Sequence, residues 1–100
     1  MDTDQLISHS RARFEHEAAR RTLREKYQAK LTFAHAGGMW LTGPELLTVL
    51  KLCSGESVIL DLYQNPVKIQ AEELYELTVT RWQECMNAWL TEYTELNRNR

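Results

Sequence analysis

The spacing nearest to known metal chemistry is His16-Glu17-Ala18-Ala19-Arg20. A zinc-protease helix needs a second imidazole one turn after the first, so that both reach one ion. Arg20 stands there instead, so no metal site is expected, and His9 and His16 read as solvated helix residues. Cys53 and Cys85 lack CxxC pairing and histidine partners, and each sits among apolar residues. They are expected to be reduced, largely buried thiols acting as small hydrophobes. Ala36-Gly37-Gly38 has neither the further glycines nor the Gly-Lys-Ser/Thr ending of a phosphate-cradling loop. Glu72, Glu73 and Glu76, and Glu92 with Glu95, are carboxylates at helical spacing that read as a solvated face rather than an acid–base pair. Asp61 is the unusual acid, inside Val58-Ile59-Leu60-Asp61-Leu62-Tyr63. With His35 and Tyr63 it could be assembled into an enzyme site, but the spacing does not require one. A buried Asp61 would need hydrogen-bond donors or a cation such as Arg81. The expectation is that it marks the exposed face of a hairpin. The chain therefore reads as non-enzymatic, with no catalytic residue, metal or cofactor.

The elements that position these residues follow from composition and periodicity. With 100 residues, 43% hydrophobic and 26% charged, the chain has the size of one domain. It contains no apolar run near the roughly 20 residues needed to cross a bilayer, and its acidic start is unlike a signal peptide. A cytoplasmic protein without membrane contact is expected.

Asp2 and Gln5 have capping-box spacing, and no glycine or proline intervenes before Gly37. This predicts one long basic helix over 1–36, closed by the two glycines. The competing pattern makes Leu31 to His35 a strand returning through the glycines into Met39 to Thr42. Thr42-Gly43-Pro44-Glu45 predicts the capped start of a short helix. Its leucines and valine cover most of the circumference, so it is expected to be buried between other elements. Ser57 to Tyr63, the turn Gln64-Asn65-Pro66 and Val67-Lys68-Ile69 predict a β-hairpin within 37–69. Residues 70–97 predict a long acidic amphipathic helix. There Tyr75, Val79, Trp82, Met86, Trp89, Tyr93 and Leu96 step alternately by four and three, the repeat of a helix whose seam meets another helix. Together these predict a single α+β domain, mostly helical, with two long helices flanking a short buried helix and a hairpin.

Charge is unevenly distributed along the chain. Residues 1–30 hold seven basic against five acidic side chains, whereas residues 70–100 hold three against six. Opposite signs suit two helices lying side by side, in one chain or across a dimer. The alternative is that the first helix binds nucleic acid through Arg20, Arg21 and Arg24. An isoelectric point near 5.9 and the interleaved glutamates weigh against it.

Helices of about 30 residues span roughly 45 Å, more than the width of any core that 100 residues can build. The seam from Tyr75 to Leu96 is then expected to meet a second chain, most simply a copy of this one, as a homodimer or higher oligomer. The segments Phe33-Ala34-His35-Ala36-Gly37-Gly38-Met39-Trp40 and Arg81-Trp82-Gln83 to Asn87-Ala88-Trp89 resemble small uncharacterised proteins of tailed bacteriophages, cyanophages among them. That resemblance implies an accessory or assembly protein in the host cytoplasm, partnered by itself or by a phage or host protein. It carries no functional residues.

Overall fold

The computed structural model describes residues 2–98 and contains three helices and two hairpins. Helix α1 runs Thr3–Lys30, and the Asp2 carboxylate accepts the Gln5 amide at its start. Strands β1 (Thr32–His35) and β2 (Gly38–Leu41) form the first hairpin. Helix α2 runs Pro44–Leu52; strands β3 (Glu56–Leu60) and β4 (Pro66–Gln70) form the second hairpin; helix α3 runs Ala71–Arg98. The fold is mostly helical α+β, as the periodicities predict.

The first long helix does not extend to residue 36. It stops at Lys30, and the strand alternative describes residues 32–41. Ala36 and Gly37 both have positive φ, 54° and 84°, which makes them a two-residue turn of the kind whose twist matches paired strands. β-branched and aromatic Thr32 and Phe33 favour the strand. At the hairpin base, the Thr42 amide donates to the Leu31 carbonyl at 2.8 Å. The glycines that could end a helix here turn a strand.

Two apolar clusters hold the chain together. In the head, Phe33, Trp40, Leu50, Ile69, Ala71 and Leu74 pack from both hairpins, α2 and the start of α3. Along the rod, Tyr27, Leu31 and Cys85 join α1 to α3, flanked by Leu23, Trp82, Met86 and Trp89. Since α3 contributes to both, it is the spine of the molecule. Gln70 accepts the Glu73 amide, and Glu72 accepts the Gly55 amide with both oxygens, so the entry into α3 is fixed by side chains.

Helix α2 is less enclosed than its composition predicts. Only Leu50 is buried, whereas Val49 and Leu52 face solvent. The helix lies on the head with one face inward. Its start also differs from the predicted capping box: the N-cap is Gly43, without a side-chain cap, and Thr42 lies one residue too early to serve.

Gly38 carries the closest packing of the first hairpin. A Cβ there would lie 3.0 Å from Cζ2 of Trp40 and 3.1 Å from Cγ2 of Val67, whereas one on Gly43 would meet nothing within 4 Å. Gly38→Ala is expected to cost about 1–3 kcal/mol in urea unfolding, because the indole must shift. Gly43→Ser should be neutral or slightly stabilising, since the backbone there is extended and serine can cap α2.

Candidate interaction surface

The pairing of α1 with α3 is built from matched side chains. The Tyr27 and Trp89 rings stack, with centroids 6.0 Å apart and planes 7° from parallel. Lys26 Nζ donates to both Glu92 oxygens at 2.9 and 3.1 Å, and the Cys85 thiol approaches the Lys30 carbonyl at 3.7 Å. Contacts progress toward the start of α1 as they progress toward the end of α3, so the helices are antiparallel. The Glu92 hydrogen bond raises the Lys26 pKa, and the same bond lowers that of Glu92. Hydrogen bonding to the Glu92 carboxylate above all, then burial, pushes the Tyr27 phenol up. Both ends of the ion pair are half-exposed, so its role is to set register more than to add stability.

Beside this contact the helices leave an apolar groove of about 360 Å³, lined by Arg20, Arg24, Met86, Trp89, Leu90 and Tyr93. The Arg20 guanidinium lies 5.8 Å from the centre of the Tyr93 ring, and Leu90 is 63% exposed. Toward the start of α1 the cover ends. Every residue from Asp2 to Glu15 is exposed, including Leu6, Ile7 and Phe14 at 55%, 52% and 68%. The molecule extends 66 × 24 × 19 Å in consequence. The first half of α1 thus carries three large apolar side chains in water beyond the end of the apolar groove.

No family model, curated protein or solved structure matches this chain. The reading of the surface therefore rests on its geometry.

The residues singled out by spacing divide between two environments. Of the seam positions, Tyr75, Val79, Trp82, Met86, Trp89 and Leu96 are half-buried and Tyr93 is exposed. The row hidden within the chain lies beside them, at Ala71, Leu74, Thr78 and Cys85. Thr78 escapes a hydropathy reading because its hydroxyl donates to the Leu74 carbonyl at 2.7 Å, which lets a polar side chain be fully buried. Arg20 and Arg24 border the groove, and Arg21 is exposed. Leu6 and Leu90 now join the candidate residues; the signal for Leu6 is its distance of 18 residues from Arg24, five full helical turns.

Asp61 is not on an exposed face. It is 6% exposed, and its carboxylate accepts three backbone amides: Tyr63 at 2.9 Å and Asn65 at 3.0 Å on Oδ1, and Met39 at 3.2 Å on Oδ2. Met39 returns the contact, its carbonyl accepting the Leu62 amide at 2.8 Å. Asp61 thus joins the turn of the second hairpin to a strand of the first, without a cation. Arg81, one candidate partner, lies over the Phe33 ring. His35 is beside Glu73, with Nε2 and Oε1 3.9 Å apart, and the Tyr63 side chain is exposed. The inward face of the second hairpin is consequently that of Ile59, Val67 and Ile69, and Val58 and Leu60 point outward.

A second cleft, of about 830 Å³, lies where Leu60, Asp61 and Leu62 face the start of α2, floored by Trp40, Leu31 and Trp82. Among the described residues no three His, Cys, Asp or Glu side chains are grouped to hold a metal, and no helix is long and apolar enough to cross a membrane. Both cysteines are free.

Proposed function

We propose that this chain is a non-enzymatic interaction or assembly module that works as a homo-oligomer, using the α1–α3 rod as its association surface. The observation that carries the reading is the uncovered first half of α1, with three large apolar side chains in water next to an apolar groove. A radius of gyration of 19.4 Å, against about 13 Å for a compact chain of this length, expresses the same excess of helix over core. Large apolar groups clustered on an extended surface favour association, because burying them releases water at about 25 cal/mol per Å². The head, with its cleft, is left free to meet a further phage or host protein, in keeping with the likeness to small phage proteins. Light scattering on a size-exclusion column at tens of micromolar is expected to give a species of at least twice the 11.7 kDa chain mass. A clean monomer at that concentration overturns the reading.

A further inference from the structure

We infer that the cleft of the head binds a small organic cation, an amine on an apolar body, with Thr42 and Glu45 among its polar contacts and the indoles of Trp40 and Trp82 beneath it. The inference concerns the head alone and does not depend on the self-association proposed above.

Three observations lead to it. The first is a polar group without a partner. Thr42 is 2% exposed and lines the cleft, yet its hydroxyl makes no hydrogen bond within the protein. Thr48 and Thr78 show the ordinary solution, each donating to a carbonyl four residues back at 2.7 Å. Thr42 stands between β2 and α2, with no helical turn behind it, and lies one residue too early to cap α2. A buried hydroxyl left unpaired destabilises a fold, and valine would fill nearly the same space without that penalty. The hydroxyl is explained if a bound molecule supplies its partner.

The second observation is shape. A volume of about 830 Å³ lies within the range of small-molecule sites. Leu41, Leu60 and Leu62 line it and are otherwise exposed to water, although none belongs to either core cluster. Apolar walls with a few polar groups are what such a site requires, the walls giving affinity and the polar groups orientation.

The third is charge. The charged residues lining the cleft are Glu45 and Asp61, both acids, whereas the groove on the rod is lined by Arg20 and Arg24. The Asn65 amide above all, with those of Met39 and Tyr63, holds the Asp61 carboxyl below its ordinary range, so it is ionised at neutral pH. Its Oδ1 accepts two amides and its Oδ2 only one, which leaves acceptor capacity on Oδ2. Glu45 stands in the first turn of α2 and offsets the positive end of that helix. An anion in the cleft would meet two carboxylates. An ammonium group, which only donates, is favoured by both carboxylates, by the Thr42 oxygen and by the aromatic surface of the floor.

Three probes with one phenylethyl body separate charge from apolar burial: phenethylamine, phenethyl alcohol and hydrocinnamate. In a heteronuclear NMR titration at pH 7 the amine is expected to shift the backbone amides of Leu41, Thr42 and Leu62 saturably. It should bind at least about tenfold more tightly than the alcohol, with the carboxylate weakest. Glu45→Gln and Thr42→Val are each expected to weaken the amine about threefold or more, and Glu45→Gln should leave the alcohol unaffected. Thr42→Val should also unfold at the parent temperature or above, because the hydroxyl it removes has no partner. A purely structural threonine would lose stability instead. Equal affinities for the three probes, a preference for the carboxylate, or no saturable shift at tens of millimolar overturns the inference. So does a Thr42→Val chain that binds the amine like the parent or unfolds well below it. Shifts of the same amides on raising the protein concentration alone would put a second copy in the cleft, and overturn it too.

Discussion

Asp61→Asn is expected to lower the midpoint of thermal unfolding by on the order of 10 °C at pH 7 and to loosen the contact between the two hairpins. The carboxylate accepts three backbone amide hydrogens, those of Tyr63 and Asn65 on one oxygen and that of Met39, from the other hairpin, on the second. Asparagine keeps one acceptor oxygen and puts an NH2 group where the second was, so a donor faces a donor. The cost is that of leaving buried amides unsatisfied, which exceeds the value of an ordinary hydrogen bond. Asp61→Ala should behave similarly, whereas Asn65→Ala, which keeps its backbone amide, should be mild.

The same contacts give the loss a pH dependence. The Asn65 amide above all holds the Asp61 carboxyl below its ordinary range; burial pushes it the other way, and the Met39 and Tyr63 amides add to the lowering. A group whose native pKa lies below its unfolded value stabilises the fold fully above the unfolded value, near 3.8 for this carboxyl, and loses that contribution as pH falls toward the native one. The parent chain should therefore lose stability as pH drops below about 4, and the gap between parent and Asp61→Asn should narrow over the same interval. A gap that stayed constant from pH 7 to pH 3 would mean that the carboxylate charge is not what the amides recognise.

Legibility from sequence varied with how far each residue's partner lay along the chain. The long helices and the second hairpin were legible because their signals are local: seven-residue spacing from Tyr75 to Leu96, and a proline-bearing turn between two aliphatic runs. The mismatch between helix length and core size was also legible, since it needs only rise per residue and chain length. Residues 31–42 were ambiguous because Ala36-Gly37-Gly38 suits both a helix stop and a two-residue turn. What decides is tertiary, the packing of Trp40 over Gly38 and against the head. Asp61 was misplaced for a related reason. An acid in an alternating strand usually faces water, and its real donors include Met39, 22 residues away in a different hairpin. Thr78 was overlooked because its hydroxyl is satisfied one turn back, an arrangement that side-chain type alone does not reveal. In the groove, Arg20 and Arg24 were noted for charge and Trp89 and Tyr93 for periodicity. Only the antiparallel register of α1 and α3 brings the two sets together.

Trp40→Ala is expected to be the most damaging single change in the chain. The indole is 1% exposed and belongs to the head cluster with Phe33, Leu50, Ile69 and Leu74. Its Nε1 also donates to the His35 carbonyl at 2.9 Å, which ties the ring across its own hairpin. Truncating a buried tryptophan costs about 3–5 kcal/mol, against a total of about 5–15 kcal/mol for an average domain. For a chain with so small a core, that removes most of the margin. Trp40→Phe retains part of the ring volume and loses the hydrogen bond, so it should fall between parent and Trp40→Ala. Comparing far-UV with near-UV circular dichroism on heating tells how far the damage spreads. Because α3 supplies Leu74 to the head and Cys85 to the rod, loss of the head should loosen both ends of one helix. Helical and aromatic signals should therefore melt together, at a lower temperature than in the parent. If the helical signal of Trp40→Ala instead melted at the parent temperature while the aromatic signal was already lost, the rod would be stable without the head, and the groove between α1 and α3 would not depend on the hairpins for its shape.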